Sequence, residues 1–177
     1  FSAGWDVELA EASELGLGHF IEGTTGDDTL DGTGTTGMLV GDGGADTYLF
    51  NAGYGSNTVV NGVAGGGGTA GTLELGTGLD FSDLTFSKTG ADLVIGVSGS
   101  SDQVTIEGWF AQDYAKLQSV VTGDGVTLAT DLVTDLAILG SGITGTTALI
   151  NAMAIGGGDD DISSVVSTIS DGTKIAS

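Results

Sequence analysis

Two stretches decide how this chain folds: Gly23-Thr24-Thr25-Gly26-Asp27-Asp28-Thr29-Leu30-Asp31 and Gly41-Asp42-Gly43-Gly44-Ala45-Asp46-Thr47-Tyr48-Leu49. Each is a run of Gly, Thr and Asp that closes on a short β-prone triplet. Working outward in rows of nine from Glu14, the eighth place holds Ile21, Leu30, Leu39 and Tyr48. Phe50 and Asn51 then shift the frame, and the next equivalent is Val59. The triplets are Phe20-Ile21-Glu22, Thr29-Leu30-Asp31, Met38-Leu39-Val40, Thr47-Tyr48-Leu49 and Thr58-Val59-Val60. The residues between them suit tight turns, because Gly takes positive φ and Asp bonds its own backbone. A turn and a short strand, repeated, wind a right-handed parallel roll with one large residue per coil pointing inward.

The motif in these rows resembles the nonapeptide repeat of the RTX, or haemolysin-type, family of secreted bacterial proteins, G-G-x-G-x-D-x-U-x. Rows 23–31 and 41–49 carry it best. Row 32–40 keeps Leu39 but has Gly37 where Asp belongs; Ala52 to Val60 has Asn57 there, and Glu14 to Glu22 has His19. The resemblance implies a calcium-binding β-roll. Successive turns of such a roll alternate between its edges, so turns 23–28 and 41–46 share one edge and each brings an Asp. The opposite edge holds His19, Gly37 and Asn57. Calcium takes about six to eight oxygen ligands, which two stacked turns supply from carbonyls and two carboxylates. One calcium site is therefore expected between Asp28 and Asp46, with carbonyls from Thr24, Gly26, Gly41 and Gly43. The other edge should be weak or empty, and Asp27, Asp31 and Asp42 should be solvated.

Composition fits that expectation and removes others. The chain has 177 residues, 34 of them Gly, with no Pro and no Cys, and 24 acids against 3 bases give a formal charge of −21. Without Cys there is no disulfide scaffold, thiolate zinc site or thiol catalysis. Glycine without a Gly-X-Y period is not collagen. With so few cations, binding to a phosphate backbone is excluded as a function, so no nucleic-acid partner is expected. The 40% hydrophobic content argues against an acidic disordered tail. No apolar run approaches the roughly 20 residues that cross a bilayer. No basic-then-apolar leader opens the chain, and its start at Phe1 suggests a processed or cut piece of a longer, soluble protein.

The organisation reads as five parts. Residues 1–13 are a linker or the end of a preceding domain, 14–61 the β-roll, and 62–71 a Gly-rich loop without a phosphate-binding signature. From 72 to 129 the period becomes two, giving strands at Thr72–Leu75, Leu84–Phe86, Asp92–Val97, Gln103–Ile106, Leu117–Val121 and Val126–Leu128. Within it, Leu79 to Phe86, Ala91 to Ile95 and Val104 to Phe110 resemble the block that follows RTX repeats, which implies an antiparallel cap on the roll. Trp109 and Phe110 read as core rather than a sugar-stacking platform. Residues 130–177 read as three short helices, the first with Leu132, Val133, Leu136 and Leu139 on one face and Thr130 or Asp131 as its cap. Ala148 to Ala154 resembles the Leu-Val-x-Ala-Met-Ala segment near RTX C-termini, implying an uncleaved type I secretion signal. The fold class is thus mainly β, a parallel roll capped by antiparallel strands, with short C-terminal helices.

No catalytic constellation emerges. With His19 the only histidine, H-E-x-x-H and any multi-His metal site are impossible, and Gly96-Val97-Ser98-Gly99-Ser100 fails as a nucleophile elbow. The expected function is a non-catalytic calcium-binding module of a type I-secreted bacterial protein, located outside the cell or on its surface, that folds on calcium after export. Its partners would be calcium, the type I apparatus during export and, if it assembles, further copies of itself. An alternative is a self-assembling surface-layer, filament or adhesin subunit. A third is a carbohydrate- or ice-binding adhesive domain using Thr24, Thr25, Thr33, Thr35 and Thr36.

Overall fold

The computed structural model describes residues 19–32, 36–62, 64 and 70–139. The five triplets become strands, β1 (His19–Glu22), β2 (Thr29–Asp31), β3 (Gly37–Val40), β4 (Thr47–Phe50) and β5 (Ser56–Val60), and Thr72–Leu75, expected in the antiparallel block, forms β6. Odd-numbered strands pair in parallel in one sheet, β1 with β3 and β3 with β5. Even-numbered strands do the same in the other, β2 with β4 and β4 with β6. Each turn therefore carries the chain from one sheet to the other. The frame shift at Phe50-Asn51 is absorbed by one more strand residue and a turn in which Tyr54 N–H bonds Asn51 O at 3.2 Å.

The chain then changes its connections. The next three strands, β7 (Leu84–Thr89), β8 (Asp92–Val97) and β9 (Gln103–Ile106), form an antiparallel meander. Its last strand, β9, lies parallel to β5. Likewise β10 (Ser119–Val121) lies parallel to β6, and β11 (Thr127–Ala129) folds back on it antiparallel. The result is a six-stranded sheet, β1-β3-β5-β9-β8-β7, and a five-stranded sheet, β11-β10-β6-β4-β2. The fold is mainly β, and its sheets are mixed rather than a parallel roll under a separate antiparallel cap. The physical reason is the open edges of β5 and β6, whose unpaired N–H and C=O groups are taken up in parallel by β9 and β10. Once β9 and β10 are in place, tight turns can only add antiparallel neighbours.

Strand register builds one core. Ile21, Leu39, Val59, Ile106 and Leu93 form a row across the first sheet. Leu30, Tyr48, Leu73, Val120 and Leu128 form the row of the second. Both rows belong to a single apolar cluster. Burying each such side chain contributes about 1.5–3 kcal/mol. The frame residue at each eighth place is thus a core residue, and alternation along the strand sends its neighbours outward.

The helix α1 (Thr130–Leu139) closes the second half of this core with Val133, Leu136 and Ala137. Leu139, expected on the same face, is 46% exposed. Thr130 does not cap its own helix: its hydroxyl donates to Leu117 O at 2.7 Å and Gln118 O at 3.1 Å, bolting α1 to the segment entering β10. Thr134 accepts a hydrogen bond from the indole N–H of fully buried Trp109 at 3.0 Å. Phe110 is partly buried, with the Lys88 ammonium 4.5 Å from its ring centre. The two further helices expected at 147–155 and 161–169, and the secretion segment, lie outside the described residues.

Candidate metal centre

The turns 23–28 and 41–46 stack as the 18-residue spacing expects. Gly43 N–H bonds Thr24 O at 3.3 Å, Asp28 N–H bonds Asp46 Oδ1 at 3.1 Å, and Ala45 N–H bonds Asp27 Oδ1 at 2.8 Å. The approach is close enough to dictate sequence. Gly44 has φ of +106°, and a Cβ there would lie 2.5 Å from the Gly26 carbonyl carbon and oxygen, so only glycine fits. The turn grammar of the second stretch thus includes the space its neighbour needs.

Within this edge the two aspartates are used differently. Asp28 is turned back into its own turn, where its Oδ2 accepts Thr24 N–H at 2.6 Å and the Thr24 hydroxyl at 2.9 Å. Asp46 is 1% exposed, and after Oδ1 takes the Asp28 N–H its Oδ2 has no hydrogen-bond partner. Burial pushes the Asp46 carboxyl above its usual range; the Asp28 N–H opposes this, and the charges of Asp28, Asp27 and Asp42 add to the rise. A buried carboxylate oxygen without a partner is costly unless a cation or proton meets it.

The surroundings of that oxygen are other oxygens. A Cβ on Gly41 would run into Asp46 Oδ2 and the Tyr48 hydroxyl, and would lie 3.0 Å from Asn61 O. Two repeats earlier, a Cβ on Gly23 would lie 2.9 Å from Gly41 O and 3.0 Å from Asp28 Oδ2. Glycine at both places lets these oxygens come together as a strip along the edge, because a side chain there would collide with them. Tyr48 reaches it from the core and donates to Asn61 O at 3.3 Å or Asn61 Oδ1 at 3.2 Å. Burial first, and then the Asp46 charge, push the Tyr48 hydroxyl pKa up, which keeps it a neutral donor. This donor set suits a hard cation such as calcium, and Asp46 Oδ2 is the oxygen that most needs one.

All six residues expected from sequence, Thr24, Gly26, Asp28, Gly41, Gly43 and Asp46, sit on these two turns. The structure joins Thr24 to Asp28 within one turn rather than across the gap. Asp27 staples the turns, and Asp31 accepts the Tyr54 hydroxyl at 2.9 Å. Asp42 sits in the left-handed region at φ 68°. The sequence reading missed Tyr48 and Asn61 as neighbours of the strip; the polar hydroxyl at an otherwise apolar eighth place was the available signal. No group of three or more His, Asp or Glu side chains converges among the described residues, so an ion here depends on carbonyls for most of its shell. On the opposite edge, His19, Gly37 and Asn57 align in register and contribute no carboxylate.

Residues 92–131 match the family model described as haemolysin-type calcium binding protein related domain. The matched segment runs from the start of β8 into the first turn of α1, beside the winding rather than over Asp28 and Asp46. It supports an RTX-like calcium-binding region and calcium as the bound ion. No curated protein matches the chain.

Proposed function

We propose that the chain is a non-catalytic, calcium-binding C-terminal module of a type I-secreted bacterial protein, working outside the cell or at its surface, and that its β-roll folds on calcium after export. The observation that carries the reading is the unpartnered, buried Oδ2 of Asp46 on an oxygen-lined edge. In low calcium the acids of turns 23–28 and 41–46 repel one another and Asp46 resists burial. Calcium at this edge, held by Asp46 and Asp28 with carbonyls of Thr24, Gly26, Gly41 and Gly43, turns binding free energy into folding free energy. The match over residues 92–131 supports the same assignment from the other half of the molecule. Circular dichroism in EDTA and then in calcium tests it. Strand signal should rise on adding calcium; identical spectra in both conditions would reject metal-coupled folding.

A second reading, self-assembly as a surface-layer, filament or adhesin subunit, is favoured by one surface. Phe20, 49% exposed, and Met38, 37% exposed, are register partners on the outer face of β1 and β3. Their row continues through Thr58, Thr105 and Val94, without a charged residue. In a chain of charge −21, such a face is where copies could meet without opposing like charges. Light scattering at rising concentration, with and without calcium, tests it; a strict monomer in both would reject it.

A further inference from the structure

Glu22, Val40 and Val60 are register partners, so the residues that follow them, Gly23, Gly41 and Asn61, hold equivalent places along the acidic edge. The first two are glycines; the third carries an amide that is buried. Its nitrogen donates to Lys116 O at 2.9 Å and reaches Tyr114 O at 3.5 Å, both on the segment that leads into β10. With the nitrogen held there, Oδ1 is the amide atom left to face Tyr48. Gly71 closes over the amide from another side, since a Cβ there would collide with Asn61 Oδ1 and stand 2.9 Å from its Cγ. The amide is therefore held in one orientation.

Tyr48 has one hydroxyl proton and two kinds of acceptor beside it. On one side stand Asn61 Oδ1 at 3.2 Å and Asn61 O at 3.3 Å, with Val60 O at 3.5 Å. On the other stands Asp46 Oδ2: a Cβ on Gly41 would collide with both this oxygen and the Tyr48 hydroxyl, yet no hydrogen bond joins the two. A carboxylate is roughly twice as strong an acceptor as a neutral oxygen, so the hydroxyl has to be held off Asp46. We propose that Asn61 does this and is a positioning residue for the acidic edge. By taking the Tyr48 proton it keeps Asp46 Oδ2 unpaired and its charge available to a cation. Without Asn61 the hydroxyl turns to Asp46, satisfies the buried carboxylate and competes with the cation for that oxygen. Because carbonyls from the half that follows the winding fix the amide, that half tunes the cation affinity of the winding through one side chain. The effect on affinity rests on calcium being the ion of this edge, as proposed above; the effect on the metal-free chain does not.

Calorimetric titration of the full chain with Ca2+ tests the first effect. Asn61→Ala should weaken binding about tenfold, the size of one charge-assisted hydrogen bond set against the ion. In a Tyr48→Phe background the same substitution should leave affinity unchanged, because no hydroxyl remains to turn. Equal weakening in both backgrounds would mean that Asn61 acts only by tying down Lys116, and would overturn the proposal. Denaturant unfolding in EDTA tests the second effect. Asp46→Ala, which should not destabilise the wild-type chain, should raise the unfolding constant about tenfold in the Asn61→Ala background, where Asp46 holds the Tyr48 hydroxyl. If Asp46→Ala remains without cost there, the hydroxyl has not turned and the proposal falls. A wild-type chain that bound no calcium would sink the calcium reading, while the unfolding measurement would still decide the role of Asn61. Should Asn61→Ala not fold, Asn61→Gly, which restores the residue at the equivalent places 23 and 41, makes the same tests.

Discussion

The winding of β1 to β6 and the half that follows it are held by different forces. In the winding, each coil contributes about one core residue, such as Leu30, Leu39, Tyr48 or Val59, and the rest is turn. Its coils are joined at the edge by polar contacts, Asp27 to Ala45 and Asp46 to Asp28, and one carboxylate oxygen is left over. From Leu79 onward the balance reverses. Leu79, Leu84, Leu93, Ile95, Val104, Ile106, Trp109, Leu117, Val120 and Leu128 are all essentially inaccessible, and α1 packs on the same cluster. On the proposed reading the thin, acidic winding depends on a cation to fold, whereas the thick apolar half is held by burial alone.

Four substitutions probe that division. The largest expected effect is Trp109→Ala, which removes a fully buried indole and its bond to Thr134, and should cost about 3–5 kcal/mol. The loss should be equal in calcium and in EDTA when unfolding is followed with denaturant. A loss that depended on calcium would erase the distinction between the halves.

Next comes Asp46→Ala. It should weaken calcium binding about 100-fold, or about 2.7 kcal/mol, by calorimetry. In EDTA the same variant should be no less stable than wild type, because relief of a buried charge whose Oδ2 has no partner offsets loss of the hydrogen bond from Asp28 N–H. Unchanged tight calcium binding would dissociate the ion from this edge.

Smaller and more diagnostic is Asp46→Asn in the absence of metal. The folded Asp46 carboxyl lies above its ordinary value of 3.8, so it binds protons more readily folded than unfolded. Its stability contribution is fully present below 3.8 and is lost as pH rises through the folded value. Metal-free wild type should therefore lose stability as pH rises across that window, and Asp46→Asn should not. Thermal melts in EDTA over a pH series would show this, and parallel wild-type and variant curves would contradict it.

The smallest effect tests the seam. Asp102, on the turn between β8 and β9, accepts Gly53 N–H at 2.8 Å and Gly55 N–H at 3.0 Å from the winding. The Gly53 bond chiefly holds its carboxyl below the ordinary range; partial burial opposes this, and the bonds from Ser100 and Gly55 reinforce it. Its contribution is present above the unfolded value of 3.8 and fades as pH falls through the folded one, opposite in sign to Asp46. Asp102→Ala should cost about 1 kcal/mol at neutral pH and raise hydrogen exchange at Gly53 and Gly55. Unaltered exchange there would show that the halves are not joined through this residue.

Much of the winding was legible because its grammar is local. A turn followed by one inward residue recurs every nine positions, and Ile21, Leu30, Leu39, Tyr48 and Val59 all fall on strands facing the cluster. The later strands were legible as strands, from alternation, but not in their partners. Nothing in Gln103–Ile106 says that it joins β5 in parallel, because that choice depends on which sheet edge is open when it arrives. Thr130 was misread for a similar reason: a Thr before an apolar run looks like a cap until Leu117 O is found beside it.

The site divides in the same way. By itself, the sequence determined that turns 23–28 and 41–46 share an edge, since an 18-residue spacing is two coils of the repeat and requires no knowledge of packing. Only the tertiary structure decided that Asp28 closes its own turn while Asp46 is buried with a free oxygen, and that Tyr48 and Asn61 stand beside it. Spacing is fixed by backbone geometry within a few residues. Burial and partnership are fixed by what packs from far along the chain, so a carboxylate's fate is settled only when its surroundings are complete.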